Sequence, residues 1–332
     1  MTTRPNILLF GAGAIGTIYI HILQQAGCNV TAVCRSNYAA AATNGFHISS
    51  QKYGNVHVSP TVVRTPQEAA DNHKASGSRG FDYVLVTAKA FPGSSPTGAE
   101  LLRPVVGPDT AIALVQNGIG IEDEWKAAYP ENPILSCVVY LPATQTSPGH
   151  VSMGDLERLE IGTFPCEAPA AHKGAGEKLK GLIEAGGGTA TLHDDVQLKR
   201  WSKALVNSSW NPVCALARSR DVAVMASSPA ATEYVRALMR EVAAVARACG
   251  YGGIGEEEVE MQLGRAKARV GTRGIEPSMM ADALHGRRME VEAIVGNVVR
   301  LGKERGVGVE RLEGVYVLVK ALDESLAAAR EG

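Results

Sequence analysis

Lys203, Asn207 and Asn211 stand four residues apart in the run WSKALVNSSWNP. At about 100° per residue, each is turned only about 40° from the one before, so a helix sets all three on one face. Leu198, Trp201 and Leu205 form the adjoining apolar stripe. One cation with two neutral amides and no acid can donate hydrogen bonds to an anionic keto acid. The other reading is a solvated polar face, although such faces are usually built from Glu and Lys. A second pattern lies near the start, where Gly11, Ala12, Gly13, Ala14, Ile15 and Gly16 follow the apolar run NILLF. In this spacing Gly11 permits the turn, Gly13 lets the backbone approach a pyrophosphate, and Gly16 lets helix pack on strand. The helix N-terminus then offers unpaired N–H groups to the anion. Glycines can also serve a tight strand-to-helix turn for steric reasons alone, but the strand–turn–helix context favours a dinucleotide site.

Which dinucleotide is decided after the second strand, where NAD-binding chains usually carry Asp or Glu for the ribose 2′-hydroxyl. Arg35 and Ser36 stand there instead. A guanidinium makes charge-assisted hydrogen bonds to a 2′-phosphate, so NADP(H) is favoured over the plainer reading of a solvated surface arginine. Ligands of open parallel sheets bind beyond the carboxyl ends of strands. Lys89 follows DYVLVTA and Gln116-Asn117-Gly118 follows AIALV. Each could meet a phosphate, ribose or substrate oxygen, or be an ordinary surface lysine and an Asn-Gly turn. The eight histidines and six cysteines show no metal-ligand spacing, so no metal is expected, and no GxSxG or cysteine–histidine pattern appears.

The elements that must hold these residues follow from the apolar pattern. NILLF, VTAVC, DYVLVT and AIALV are uninterrupted buried strands between helical segments, which indicates a parallel sheet covered on both faces. Shorter alternating runs from Ser136 to Gly162 suggest an appended antiparallel hairpin. His193-Asp194-Asp195 reads as a helix N-cap region. Beyond it the pattern is helical only, broken at Asn211-Pro212, Ser228-Pro229, Gly250 to Gly255, Pro277 and Gly306 to Gly308. The expected organisation is α/β: a doubly wound N-terminal domain over 1–194 that binds the cofactor, then an all-helical domain over 195–332 for substrate and catalysis.

The chain has 332 residues, enough for about two domains at roughly 150 residues each. Lys and Arg number 33 against 34 Asp and Glu, so no basic field exists to draw nucleic acid or anionic membrane. No stretch approaches a spanning helix and MTTRPNILLF is too short in apolar residues for a signal peptide. The scattered cysteines, without a CxxC pair, read as buried thiols, and a cytoplasmic protein is expected. A small-molecule partner is expected, and a homodimer is compatible with the sequence.

Taken together, GAGAIG, the arginine after the second strand, TAKAF around Lys89, QNGIG around Asn117, WSKALVNSSWNP and PSMMAD…GRRMEVEAIVG from Pro277 resemble the ketopantoate reductase family (2-dehydropantoate 2-reductases). The match runs from Asn6 into the final helices. The resemblance implies a Rossmann domain followed by a helical domain with the active site in the cleft between them. It makes Lys203 the catalytic lysine and Glu290 its acidic partner. Asn117, Asn207, Asn211 and Ser278 match substrate-binding positions, and Lys89 and Asn117 lie beside the cofactor. The activity implied is NADPH-dependent reduction of 2-dehydropantoate to pantoate, on the route to pantothenate and coenzyme A. Two alternatives stand: reduction of another branched 2-keto acid such as 2-ketoisovalerate in secondary metabolism, or a non-catalytic NADP(H) sensor. A sensor needs no general acid, so Lys203 and Glu290 argue against the latter.

Two departures bear on the substrate. MEVE (Met289 to Glu292) replaces the family's TEID, and Asp221 stands where the family tends to carry an asparagine. A carboxylate beside a substrate carboxylate would cost about 4 kcal/mol at 4 Å for an effective dielectric near 20. Asp221 is therefore expected to be neutralised, by Arg218 or Arg220, and to point outward from a solvent-facing turn; the alternative is that it accepts a hydrogen bond from a substrate hydroxyl. Ser278 and Glu290 would lie about 18 Å apart in one straight helix, so the helix must break between them, and Gly286 is where this costs least.

Overall fold

Ile7 to Phe10 and AIALV carry no polar side chain, so they are stable only as strands covered on both sides. They become so in the computed structural model, which describes residues 4–77 and 79–331. In chain order the strands are β1 (Asn6–Phe10), β2 (Asn29–Val33), β3 (Phe46–Ser50), β4 (Gly54–Val58), β5 (Thr61–Val63), β6 (Tyr83–Val86), β7 (Ala111–Val115), β8 (Ile134–Tyr140), β9 (Ala143–Ser147), β10 (His150–Met153), β11 (Arg158–Thr163) and β12 (Ala190–Leu192). The described chain divides into two compact units: residues 4–116 with 121–196, and residues 117–120 with the chain from Gln197 onward.

The first unit holds an eight-stranded sheet in the order β12-β11-β8-β7-β6-β1-β2-β5. From β5 to β8 every neighbouring pair is parallel. β2 and β6 flank β1 on opposite sides, so the order of building reverses there, and the crevice beyond the carboxyl ends of β1 and β6 is where such sheets take ligands. The helices of this unit are α1 (Ala14–Gln25), α2 (Tyr38–Asn44), α3 (Pro66–Ala75), α4 (Gly98–Leu101), α5 (Asp123–Ala128) and α6 (Ala170–Ala185). Ile18, Ile22 and Leu23 of α1 and Leu179 and Ile183 of α6 belong to the same core as the inner strands.

The region read as one appended hairpin is divided between two sheets. β8 and β11 do pair antiparallel, with Ile161 opposite Cys137. Between them β9 and β10 form a hairpin that joins a separate sheet of order β4-β3-β10-β9, with β10 parallel to β3. The alternating burial of β10, with Val151 and Met153 inside, needs a partner of the same period, and Phe46 and Ile48 of β3 supply it.

Glu157, between β10 and β11, is 3% exposed and ties the small sheet to the rest of its unit. Its carboxylate accepts from Lys52 Nζ at 2.9 Å, the Thr189 N–H at 2.8 Å, Tyr19 Oη at 3.3 Å and Tyr53 Oη at 3.4 Å. Burial first, and then this charge, push both tyrosine hydroxyls above their ordinary range.

The second unit is helical: α7 (Gln197–Ala217), α8 (Asp221–Ser227), α9 (Ala231–Ala248), α10 (Glu256–Lys267), α11 (Ser278–Leu284), a π-helical turn (Glu292–Gly296), α12 (Asn297–Glu304) and α13 (Glu310–Glu331). The expected break at Asn211-Pro212 is absent: α7 continues through Pro212. Proline removes one intrahelical donor, but Pro212 is buried between turns that pack on α9, α11 and α13, and tertiary packing outweighs that loss. His193 is drawn to Glu160, 2.6 Å away, rather than to the start of α7. No helix among the described residues is long and apolar enough to cross a membrane.

Removing the Glu157 carboxylate would leave a buried set of donors without their acceptor. Glu157→Ala should lower the unfolding free energy by about 3 kcal/mol, measured by urea denaturation. A loss below about 1 kcal/mol would show that the carboxylate does not organise this junction.

Candidate active site

In the first unit the glycine loop leaves β1 and opens α1. Its three glycines meet three different constraints. Gly11 has φ +105°, and a Cβ there would stand 2.6 Å from Ala88 Cα. A Cβ on Gly16 would stand 2.7 Å from Thr87 Oγ1 and 2.9 Å from Leu9. Around Gly13, the N-cap of α1, a Cβ would meet nothing within 4 Å, and φ is an ordinary −85°. The protein itself does not require glycine at 13, whereas a pyrophosphate lying on the helix N-terminus would fill that space. The first turn of α1 carries no acidic residue to oppose an anion. The residues present therefore fit a dinucleotide.

Asn37, a residue the sequence reading passed over, steadies this loop. Its amide donates to Ala12 O at 2.7 Å and exchanges hydrogen bonds with the Gln145 amide at 2.9 and 3.0 Å. Arg35 is exposed just beyond β2, and Lys89 is exposed just beyond β6. Gln116 at the end of β7 donates to Ala88 O at 2.7 Å, bracing the turn that abuts Gly11.

In the second unit α7 carries Lys203 and Asn207, both partly exposed, and Asn211, which is buried. Asn211 Nδ2 reaches Ser278 Oγ, at the first turn of α11, at 3.5 Å. α11 stops at Leu284, and Gly286 takes φ +61°. The helix thus breaks where spacing required, and the chain returns through buried Met289, whose N–H donates to Asp323 Oδ1 at 2.8 Å, to buried Glu290. Burial first, and then the Arg200 charge, bring the Lys203 ammonium down to about 7, with the Glu290 carboxylate opposing both. A lysine near neutrality beside hydrogen-bonding amides can give and take a proton at physiological pH.

Asn117–Gly120 follows β7 in sequence but belongs with the helices. Ile119 N–H donates to Ala293 O at 3.0 Å, Asn297 Nδ2 to Ile119 O at 2.6 Å, and Arg200 Nη1 to Gly118 O at 3.0 Å. Gly118 has φ +111°, and a Cβ there would come within 2.6 Å of Ala293 O. The carbonyl of Ala293 lies in the π-helical turn, whose shifted register leaves main-chain acceptors for outside donors. Ser208 Oγ takes the next carbonyl, Ile294 O, at 2.7 Å. Asn117 Oδ1 is buried without a hydrogen-bond partner among the described residues, an acceptor set where a ligand could meet it.

Two family models match the chain: Ketopantoate reductase PanE/ApbA over residues 7–165, and Ketopantoate reductase PanE/ApbA C terminal over residues 195–323. The chain belongs to the ketopantoate reductase family. A crystal structure of 2-dehydropantoate 2-reductase from Methylococcus capsulatus is 32% identical, covers 97% of each chain and superposes with a TM-score of 0.82. An uncharacterised protein of Saccharomyces cerevisiae is 31% identical over 95% of this chain and 94% of its own length. A 2-dehydropantoate 2-reductase of Nostoc is 27% identical over 97% of this chain and 96% of its own.

Against the pattern of this ketopantoate reductase family, Asp221 needs correction. It is 2% exposed rather than solvent-facing, and its cation is neither Arg218 nor Arg220. Arg269 binds Asp221 Oδ2 through Nη2 at 2.6 Å and Nε at 2.9 Å, while Oδ1 accepts the N–H groups of Ile275 at 2.7 Å and Val222 at 2.8 Å. Arg220 instead pairs with Glu276 at 2.7 Å. Both Asp221 oxygens are therefore committed inside the helical unit. Arg269 lies 48 residues from Asp221, a pairing that local sequence does not reveal. Arg200 was also missed, although its place one turn before Lys203 was visible. Among the described residues no group of His, Cys, Asp or Glu could hold a metal ion.

The unequal glycines give a test that separates folding from binding. Gly16→Ala should cost about 1–3 kcal/mol of stability, because the methyl has no room. Gly13→Ala should leave stability within about 1 kcal/mol, yet weaken nicotinamide dinucleotide binding on the order of tenfold in a fluorescence titration. Undiminished binding by Gly13→Ala would remove the dinucleotide from this loop.

Proposed function

We propose that this protein is an NADPH-dependent reductase of 2-dehydropantoate, forming pantoate for pantothenate biosynthesis. The observation that carries the reading is Lys203: a lysine brought near neutrality, opposed by Glu290 and followed along its helix by two asparagines. When bound, the dihydronicotinamide supplies the hydride that reaches the ketone carbon. Charge then develops on the carbonyl oxygen. Lys203 polarises that oxygen beforehand and delivers its proton as the C–O bond becomes single, a role typically contributing 10²–10⁴-fold. Glu290 keeps the ammonium charged and oriented. Asn207, Asn211 and Ser278 offer donors to the substrate carboxylate and hydroxyl, and the unfilled Asn117 Oδ1 accepts a hydroxyl or carboxamide proton. Glycines 11, 13 and 16 with Ala12, Ala14 and Ile15 would cradle the pyrophosphate, Arg35 would hold the 2′-phosphate, and Lys89, at the end of its strand, would meet the cofactor.

Asp221 favours a second reading. Its side chain is locked to Arg269 and two N–H groups, so it offers nothing to the 4-hydroxyl of 2-dehydropantoate. A branched 2-keto acid without that hydroxyl, such as 2-ketoisovalerate, loses nothing there. NADPH oxidation measured across a panel of 2-keto acids decides between them: the first reading requires the largest kcat/KM on 2-dehydropantoate. Activity on none of the panel would overturn both.

Lys203→Ala should lower turnover by at least about 10²-fold while cofactor affinity stays within about twofold. Because the reduction uses the protonated amine, kcat/KM should be level below pH 7 and fall as pH rises through about 7, the range to which burial lowers the group. The substrate carboxylate favours the ammonium, so the fall in kcat should lie at higher pH. Arg35→Ala should raise the Michaelis constant for NADPH about tenfold or more and leave NADH nearly unchanged. Equal use of both cofactors by the unmutated protein would refute the NADP(H) assignment.

A further inference from the structure

Arg200 is 3% exposed, lies three residues before Lys203 on α7, and is assigned no part in the reaction as described above. Residues three apart on a helix stand one above the other, with Cβ atoms about 5–6 Å apart. The same guanidinium donates from Nη1 to Gly118 O at 3.0 Å. A buried arginine is costly unless its donors are used, so a main-chain carbonyl next to Asn117 is a deliberate partner. The loop it grips has little freedom: Ile119 is tied through both its N–H and its carbonyl, and Gly118 is pressed against Ala293. One side chain thus touches the segment carrying Asn117 and overlooks the amine of Lys203.

We propose that Arg200 is a positioning residue of the reductase site, fixing the Asn117 loop through Gly118 while its charge acts on the Lys203 ammonium. The inference rests on the reading of Lys203 as proton donor. Its two arms are physically distinct. The hydrogen bond to Gly118 sets where the Asn117 amide stands, which bears on substrate binding. The charge disfavours a second cation one turn away, which bears on when Lys203 gives up its proton.

Glu290 is the countercharge that acts on Lys203 from outside α7. Acids on the elements packed around α7 are held by partners of their own. Glu258 of α10 accepts from Ser202 and from Gln262 at 3.0 Å, and Glu241 of α9 pairs with Arg311 at 3.1 Å. Asp282 of α11 pairs with Arg287 at 2.9 Å, and Asp323 of α13 accepts the Met289 N–H at 2.8 Å. Glu292 of the π-helical turn accepts from Tyr316 at 2.9 Å and pairs with Lys320 at 3.3 Å, and Asp221 of α8 is held by Arg269. Arg200 and Glu290 are accordingly the pair whose removal should move Lys203.

The test compares pH profiles of kcat/KM for the intact enzyme, Arg200→Gln and Arg200→Lys. Glutamine keeps a donor for Gly118 and deletes the charge. Its alkaline limb should move up by about half a pH unit or more, because a like charge is removed from beside the amine. Lysine keeps the charge and loses the fork. Its limb should stay within about 0.3 units of the intact enzyme's while the substrate KM rises several-fold. A limb that stays in place for Arg200→Gln, or a KM unchanged in Arg200→Lys, overturns the corresponding arm. If neither variant folds, Gly118→Ala, which displaces the loop without altering charge, should raise KM and leave the limb; a shifted limb there overturns the division of roles. Lys203→Met is run beside them. If it keeps its turnover, the reading of Lys203 has failed, a result distinct from an essential Lys203 whose limb ignores Arg200.

Discussion

Holding an ammonium group partly out of water is the constraint around which the helical unit is arranged. A desolvated lysine prefers to be neutral, and a second cation one turn away deepens that preference. Glu290 works in the other direction, and its position depends on the chain leaving α11 at Gly286 and returning through Met289, pinned to Asp323. Without the left-handed residue the helix would continue and carry Glu290 about 18 Å from Ser278. The place of the countercharge to Lys203 is thus set by a backbone conformation as much as by the carboxylate itself.

Main-chain carbonyls do comparable work nearby. A regular helix spends nearly every carbonyl on itself, leaving little for outside donors. The π-helical turn at Glu292–Gly296 relaxes that rule, and its acceptors are taken by the Ile119 N–H and the Ser208 hydroxyl. The four-residue loop 117–120 is thereby integrated into a helical core although the chain on either side of it, β7 before and α5 after, belongs to the first unit. Gly118 is the condition for this, since any side chain there would collide with Ala293. In the first unit, Ala88 and Thr87 play the equivalent part for Gly11 and Gly16, so that only Gly13 faces open space.

Much of this was legible where the signal is local. Uninterrupted apolar runs gave the parallel strands, four-residue spacing put Lys203, Asn207 and Asn211 on one helix, and the distance from Ser278 to Glu290 required a break at a glycine. What stayed hidden depends on partners far away in the chain. β9 and β10 left the expected hairpin because β3, about 100 residues earlier, offered a matching buried row. Pro212 failed to end α7 because packing on three helices outweighs one missing hydrogen bond. Asp221 looked like a surface acid because its sequence neighbours are charged, yet its cation comes from Arg269.

On the proposed reading, that last pairing bears on specificity. A carboxylate in a substrate pocket would repel a keto acid, whereas one closed off by a guanidinium and two N–H groups presents no net charge and no spare lone pair in the favourable directions. Replacing an amide by such a closed pair removes a hydrogen-bonding position without adding a penalty. In the proposed reaction the far end of the substrate must then be recognised by neutral donors and by shape, with Asn117 offering the unfilled acceptor. Sites that lose a polar contact discriminate less sharply between a hydroxylated substrate and its aliphatic analogue, because no buried group is left unpaired by the wrong one. On the proposed reading, the Asp221–Arg269 lock would favour a wider set of branched 2-keto acids than an amide at that position would.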